Sequence, residues 1–182
     1  MHKKDIAKEM LRKRSNLSSE EALRYQSVIY ETCLGVLKTA RHVGIYVSFN
    51  DEVDTHHLIQ TLLDSKIRVS VPKIEGSVMN FYEIESLTQL EPGHFGVHEP
   101  ITRALTNPDC IDFMIVPLLA FNRSGYRVGY GKGYYDTYLK DINPYKIGIA
   151  YDFQEVAIEF QEGHDIALDA IVTNEGIIHV KK

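Results

Sequence analysis

The sequence predicts an α/β fold: a single-domain, three-layer α-β-α sandwich around a largely parallel sheet. Three observations lead there. Segments with apolar residues at helical spacing alternate with short runs of β-branched and aromatic residues. The strongest of those runs are apolar throughout, as strands buried on both faces of a parallel sheet are. The 182 residues contain no repeat, low-complexity tract or linker, so residues 1–182 suit one domain.

The elements follow in order. Ile6, Met10 and Leu11 recur at helical spacing among Lys3, Lys4, Lys8, Arg12, Lys13 and Arg14, which gives a basic first helix. Ser18, three residues before Glu21, matches a capping box. It starts a second helix that ends near Leu37, with Val28, Ile29, Leu34 and Leu37 as its buried face. Val43–Val47 is a first buried strand. Asp54 or Thr55 caps a helix through Ser65, with Leu58, Ile59, Leu62 and Leu63 inward. Ile67–Val71 is a strand that Pro72 should stop, and Val78–Ile84 is another. Thr88–Leu105 reads as irregular, broken by Pro92, Gly93, Gly96 and Pro100. Asp112–Val116 is a third strong strand, closed by Pro117. Lys146–Ala150, Ala170–Thr173 and Ile177–Val180 complete the sheet.

Composition narrows the function. Hydrophobic residues make up 44% and charged residues 25%, the balance of an ordinary globular chain, which excludes disordered, collagen-like and disulfide-scaffolded classes. The net charge of -5 leaves no global basic field for nucleic acid, so any anion must be held by local basic clusters. The opening MHKKDIAKEM lacks the apolar core of a signal peptide. No apolar run approaches the ~20 residues of a membrane span. A cytoplasmic protein with neither nucleic-acid nor membrane partners is expected. Cys33 and Cys110 lie too far apart for a C-x-x-C pair, and both are expected to be small buried hydrophobes.

The chemistry concentrates in Phe121–Leu139, FNRSGYRVGYGKGYYDTYL. Gly125, Gly129, Gly131 and Gly133 interleave with Arg127 and Lys132. Glycines let backbone N–H groups turn inward and approach a ligand closely, forming an anion nest. A helix starting near Gly133 adds its positive end. These features describe a phosphate cradle, although neither the Walker A spacing nor G-x-G-x-x-G is met. In open α/β sheets ligands sit beyond the C-terminal ends of the strands. Asp51 and Glu52, just after the first strand, therefore belong to a second candidate loop.

The string GYGKGYYD, preceded by PLLAFNRSGYRV, closely resembles the signature of the 5-formyltetrahydrofolate cyclo-ligase family, P-x-x-A-F-D-x-x-G-x-R-L-G-x-G-x-G-Y-Y-D-x-x-L. SFNDEVDT, VPKIEGSVMNFYEI, GVHEP, GHDIALDAIVTNEGII and the basic KKDIAKEMLRKRSNLS are similar to other family segments. The resemblance thus spans most of the chain. It departs at Asn122, where the family has Asp, and at Ala7, where it has Arg. Asn122 is assigned no metal role. Ala7 removes one nucleotide contact, for which neighbouring Lys8 is a substitute.

The resemblance implies conversion of 5-formyltetrahydrofolate and ATP to 5,10-methenyltetrahydrofolate, ADP and phosphate, with Mg²⁺. It implies ATP binding by Lys3, Lys4, Lys8, Arg127, Gly129, Tyr130, Gly131, Lys132, Gly133, Tyr134 and Tyr135. Lys132 and Arg127 are the catalytic cations, stabilising charge on the transferring phosphoryl group. Asp136 and Asp165 sit at the metal. Glu52 accepts hydrogen bonds from the pterin, Val47 lines the same pocket, and Tyr130 and Tyr134 pack on its flat rings.

Two other classes remain open: an enzyme of similar architecture acting on a phosphosugar, and a nucleotide- or folate-binding protein without turnover. The histidines carry little. His56 and His57 diverge on a helix, and the glycines and proline around His94 and His98 argue against a helical metal pair. A monomer is expected.

Overall fold

The structure, a computed structural model, describes residues 2–181. Helix α1 (Lys3–Ser15) buries Ile6 and Met10 and ends in Arg12, Lys13 and Arg14, cations that suit its negative C-terminal end. Ser18 caps α2 (Ser19–Val36), accepting from the Glu21 N–H at 3.2 Å. The inner stripe of α2 runs through Ile29 and Cys33 to Leu37 at i, i+4 and i+8, while Val28, expected inside, is 43% exposed. Then come β1 (His42–Ile45), α3 (His56–Asp64), β2 (Arg68–Glu75), β3 (Val78–Ile84), β4 (Leu90–Pro92) and β5 (His98–Pro100). The chain continues through β6 (Phe113–Val116), β7 (Ala120–Phe121), β8 (Arg127–Val128), α4 (Tyr134–Leu139), β9 (Tyr145–Ile149), β10 (Ala170–Thr173) and β11 (Gly176–His179).

Seven strands form one sheet in the order β11-β10-β9-β6-β1-β2-β3. The five inner strands pair in parallel, and each edge is a strand turned back antiparallel. Successive residues serve opposite faces. Ile115 packs with Val43, Ile45 and the apolar sides of α2 and α3. Met114 and Val116 pack on the other face with Leu118, Leu168 and Leu139 of α4. The expected three layers are present, with the α4 layer short and completed by loop segments. Helix α1 stands apart, with Ile6 and Met10 on Leu119, Ala120 and Val128 of the β7–β8 hairpin.

Three expectations need correction. Pro72 does not end β2, which pairs with β3 through Glu75. Opposite Pro72, the Phe81 carbonyl accepts from the Thr106 N–H on the outer side, so β3 asks no donor of the proline. On the other side β1 has already ended its pairing at Ser70. Thr88–Leu105 is not wholly irregular: β4 and β5 pair within it as a short hairpin. Cys33 is buried as expected, but Cys110 is exposed.

The turn between β7 and β8 fixes the segment that carries Asp165. Gly125 has φ +87°, and a Cβ there would lie 2.8 Å from the Leu168 carbonyl oxygen. The Leu168 N–H in turn donates to the Gly125 carbonyl at 2.8 Å. Gly125→Ala should therefore destabilise the fold by roughly 1–3 kcal/mol in urea unfolding. Gly35→Ala, on α2 with open space around it, should be neutral or stabilising by up to ~1 kcal/mol. Equal effects at the two positions would contradict this account of the turn.

Candidate active site

The loop after β1 is sewn to itself. Tyr46 Oη donates to the Val53 carbonyl at 3.0 Å, and Thr55 Oγ1 donates to the Tyr46 carbonyl at 2.8 Å. Ser48 Oγ accepts from the Thr55 N–H, and Thr55 Oγ1 accepts from the Ser48 N–H, both at 2.9 Å. Val47 and Val53 sink into the core beneath. This frame holds Glu52, which is only 7% exposed. Its Oε2 accepts from the Phe49 N–H and its Oε1 from Tyr130 Oη, each at 3.0 Å. Burial pushes the Glu52 carboxyl up from its ordinary range, against the pull of those two donors and the Arg14 charge.

Tyr130 links this loop to the glycine-rich one. Its hydroxyl donates to Glu52 and accepts from Arg14 Nη2 at 3.1 Å. Burial, with the Glu52 charge, pushes that hydroxyl up to about 12. The residue as a whole stays 45% exposed, so ring surface remains open to solvent beside the anchored hydroxyl. Gly129, Gly131, Lys132 and Gly133 around it are exposed. Gly131 (φ +84°) and Gly133 (φ +70°) hold a left-handed backbone that side chains rarely adopt, so the loop turns freely into α4. Tyr134 and Tyr135 pack half-buried on the core face of Phe81 and Leu139.

The second carboxylate group lies at the far end of α1. Asp136 Oδ1 accepts from Arg127 Nη2 at 3.0 Å and from the Ile166 N–H at 2.9 Å. Arg127 Nη1 donates to the Ile166 carbonyl at 2.9 Å, and the side chain is 6% exposed. Each terminal nitrogen of Arg127 thus has a protein partner, Nη2 on Asp136 and Nη1 on the Ile166 carbonyl. Next to Ile166, Asp165 Oδ2 takes Lys3 Nζ at 2.6 Å and the Glu162 N–H at 2.8 Å. Burial raises the Asp165 carboxyl, but the Lys3 hydrogen bond and the Lys3 and His164 charges outweigh it and hold it low. Ligand atoms of Glu162, His164 and Asp165 lie within 4.8 Å of one another.

Among the expected cations, Lys3 is thus engaged, whereas Lys4 and Lys8 are exposed on α1. Sequence reasoning left Arg14 without a role. It is 4% exposed and continues the stripe of Lys3, Ala7 and Met10 at helical spacing, a signal that was readable in the sequence. Asn122 is explained by its surroundings. Its Nδ2 donates to the Ile158 carbonyl and lies 3.4 Å from Glu159 Oε2, where an aspartate would set two carboxylates together.

The family model described as the 5-formyltetrahydrofolate cyclo-ligase family matches residues 1–174. The chain belongs to this family. Membership makes it a cyclo-ligase, an enzyme, and the relatives agree along its length. A 5-formyltetrahydrofolate cyclo-ligase of Mycoplasma genitalium is 30% identical, covering 94% of this chain and 98% of its own. One from Escherichia coli K12 is 34% identical over 74% of this chain and 78% of its own. The solved 5,10-methenyltetrahydrofolate synthetase of Aquifex aeolicus superposes with a TM-score of 0.90 at 34% identity, over 100% of this chain and 94% of that one. No helix among the described residues is long and apolar enough to cross a membrane.

A carboxylate whose folded pKa is raised binds more protons folded than unfolded, so ionised Glu52 weakens the fold as pH rises through that pKa. Glu52→Gln should melt at or above the unsubstituted chain near pH 7.5, and the gap should close as pH falls into the ordinary carboxylate range. A variant whose melting deficit instead grows as pH rises would show that the charge stabilises the fold.

Proposed function

We propose that the chain closes 5-formyltetrahydrofolate to 5,10-methenyltetrahydrofolate with ATP and Mg²⁺, releasing ADP and phosphate. One observation carries this reading: Tyr130, inside the glycine loop, hydrogen-bonds directly to Glu52. The loop suited to phosphates is therefore joined to the carboxylate suited to a pterin. A phosphoryl donor and a folate bound to these two parts sit side by side, as the chemistry needs.

The formyl oxygen is a poor leaving group. It attacks the γ-phosphorus of ATP in line, the bond from phosphorus to ADP breaks, and the formyl carbon becomes electrophilic. N10 then attacks that carbon and loses its proton, and the former formyl oxygen departs as phosphate. Catalysis is positioning and charge stabilisation. Glu52 orients the pterin by accepting from its amino and ring N–H groups. Tyr130 offers its exposed ring face to the folate, with Tyr134 beside it and Val47 supporting the anchor from below. Gly129, Gly131 and Gly133 let backbone N–H groups reach the phosphates. Lys132, exposed between two glycines, brings its ammonium to the transferring group. Lys3, Lys4 and Lys8 hold the remaining phosphate charge, with Tyr135 fixing the start of α4.

Asp136 and Asp165 fit Mg²⁺. Both are hard oxygen donors, they flank the same Ile166 peptide, and Mg²⁺ binds through one or two carboxylates plus substrate phosphates. When bound, the ion would neutralise charge on the β- and γ-phosphates. Lys3, paired with Asp165, would then be free to serve the nucleotide phosphates. Arg127 braces Asp136 and adds its charge to the phosphate site. Residues 1–182 work as one domain and one monomer, with small molecules as partners. No observation favours the phosphosugar or non-catalytic alternatives, and the Asn122 departure has a local structural explanation.

The test is formation of the methenyl chromophore from 5-formyltetrahydrofolate. It should require both ATP and Mg²⁺, and turnover without ATP would overturn the reading. Lys132→Met should lower kcat by about 10²–10³-fold with a small change in KM for ATP. A raised KM with kcat preserved would limit Lys132 to ground-state binding. Asp136→Asn should lower turnover and regain part of it at high Mg²⁺, whereas a fully active variant would remove Asp136 from the metal.

A further inference from the structure

We propose that Arg14 is a positioning residue for the folate, acting through Tyr130 to hold the Glu52 carboxylate oriented and charged. The inference rests on Glu52 being the folate anchor. Arg14 belongs to the last turn of α1, where a cation is favoured, and is 4% exposed. An arginine is taken out of water only where its donors are used. Here Nη2 donates to Tyr130 Oη at 3.1 Å, and Tyr130 Oη donates onward to Glu52 Oε1 at 3.0 Å. Arg14 Nε is buried with no partner among the described residues. A guanidinium kept buried with one donor unmatched is not explained by packing of α1, which Ile6 and Met10 provide.

The hydroxyl of Tyr130 has a single proton. By donating into that oxygen, Arg14 directs the proton to Glu52, so the tyrosine serves the carboxylate as a donor rather than competing as an acceptor. The charge of Arg14 adds to this by favouring the ionised carboxylate in a site whose burial opposes it. The other titratable groups facing Glu52 are Tyr46, Tyr130 and Tyr135, all pushed up by burial and so neutral across the working range. An ionised, oriented Glu52 accepts from the pterin's donors, whereas a protonated one presents a hydrogen to them. Removing Arg14 raises the pKa of Glu52, so the acid limb of folate use moves to higher pH.

The experiment compares the intact enzyme with Arg14→Met, Arg14→Lys, Tyr130→Phe and the Arg14→Met/Tyr130→Phe pair, with both substrates varied from about pH 5.5 to 8.5. Arg14→Met should raise KM for 5-formyltetrahydrofolate about tenfold and leave that for ATP within about twofold. The acid limb of kcat/KM for the folate should shift upward by half a unit or more, and Arg14→Lys, which keeps the charge, should restore the limb. Tyr130→Phe should raise the folate KM similarly, and the double variant should be no worse than the single ones by more than about twofold. Equal changes for both substrates, an unmoved acid limb or additive effects would each overturn the assignment. Should Arg14→Met fail to fold, Arg14→Lys and Tyr130→Phe decide by the same criteria. Glu52→Gln separates the two claims. If it leaves the folate KM unchanged, the anchor itself is wrong. If it raises that KM while the Arg14 variants do not, only the role of Arg14 falls.

Discussion

A carboxylate removed from water must be met by donors or give up its charge. That constraint organises this molecule around Glu52. The loop after β1 is folded back on itself by Tyr46, Ser48 and Thr55, so that the Phe49 N–H can point at Oε2. The glycine loop delivers the Tyr130 hydroxyl to Oε1. Helix α1 brings Arg14 in behind. Three separate stretches of chain thus converge on one side chain, and none is neighbour to another in sequence.

The same convergence explains why α1 docks where it does. Its apolar residues, Ile6 and Met10, seat it on the β7–β8 hairpin. Its cations mark its two ends, Lys3 at Asp165 and Arg14 at Tyr130, about 16 Å apart along the helix axis. One rigid element therefore contacts Asp165 at one end and, at the other, the Tyr130 that hydrogen-bonds Glu52. The ion pair at Lys3 is partly exposed and belongs to the class whose contribution to stability is small.

Much of this was legible in the sequence. The parallel core strands announced themselves as unbroken apolar runs, and Ser18 and Glu21 marked the start of α2. The glycine-rich segment and the acidic loop after β1 stood out as the places where chemistry would sit. What escaped were features decided by partners far along the chain. Pro72 continues a strand because the Thr106 N–H, 34 residues later in the numbering, takes the Phe81 carbonyl. The β4–β5 hairpin hides behind prolines and glycines because so few residues pair in it. Nothing local to Arg127 reveals that its partners in the fold are Ile166 and Asp136. Arg14 stood on a readable stripe of α1 but without a role, because only Tyr130, contributed from far along the chain, gives it a partner.

The central claim is that the glycine loop and the folate anchor are joined so that the formyl oxygen can attack the γ-phosphate. Labelling that oxygen tests it most directly. With 5-formyltetrahydrofolate carrying heavy oxygen in the formyl group, a single turnover with ATP should place the label in the released inorganic phosphate. Label found in water, with unlabelled phosphate, would show that ATP hydrolysis and ring closure are separate events and would contradict the account.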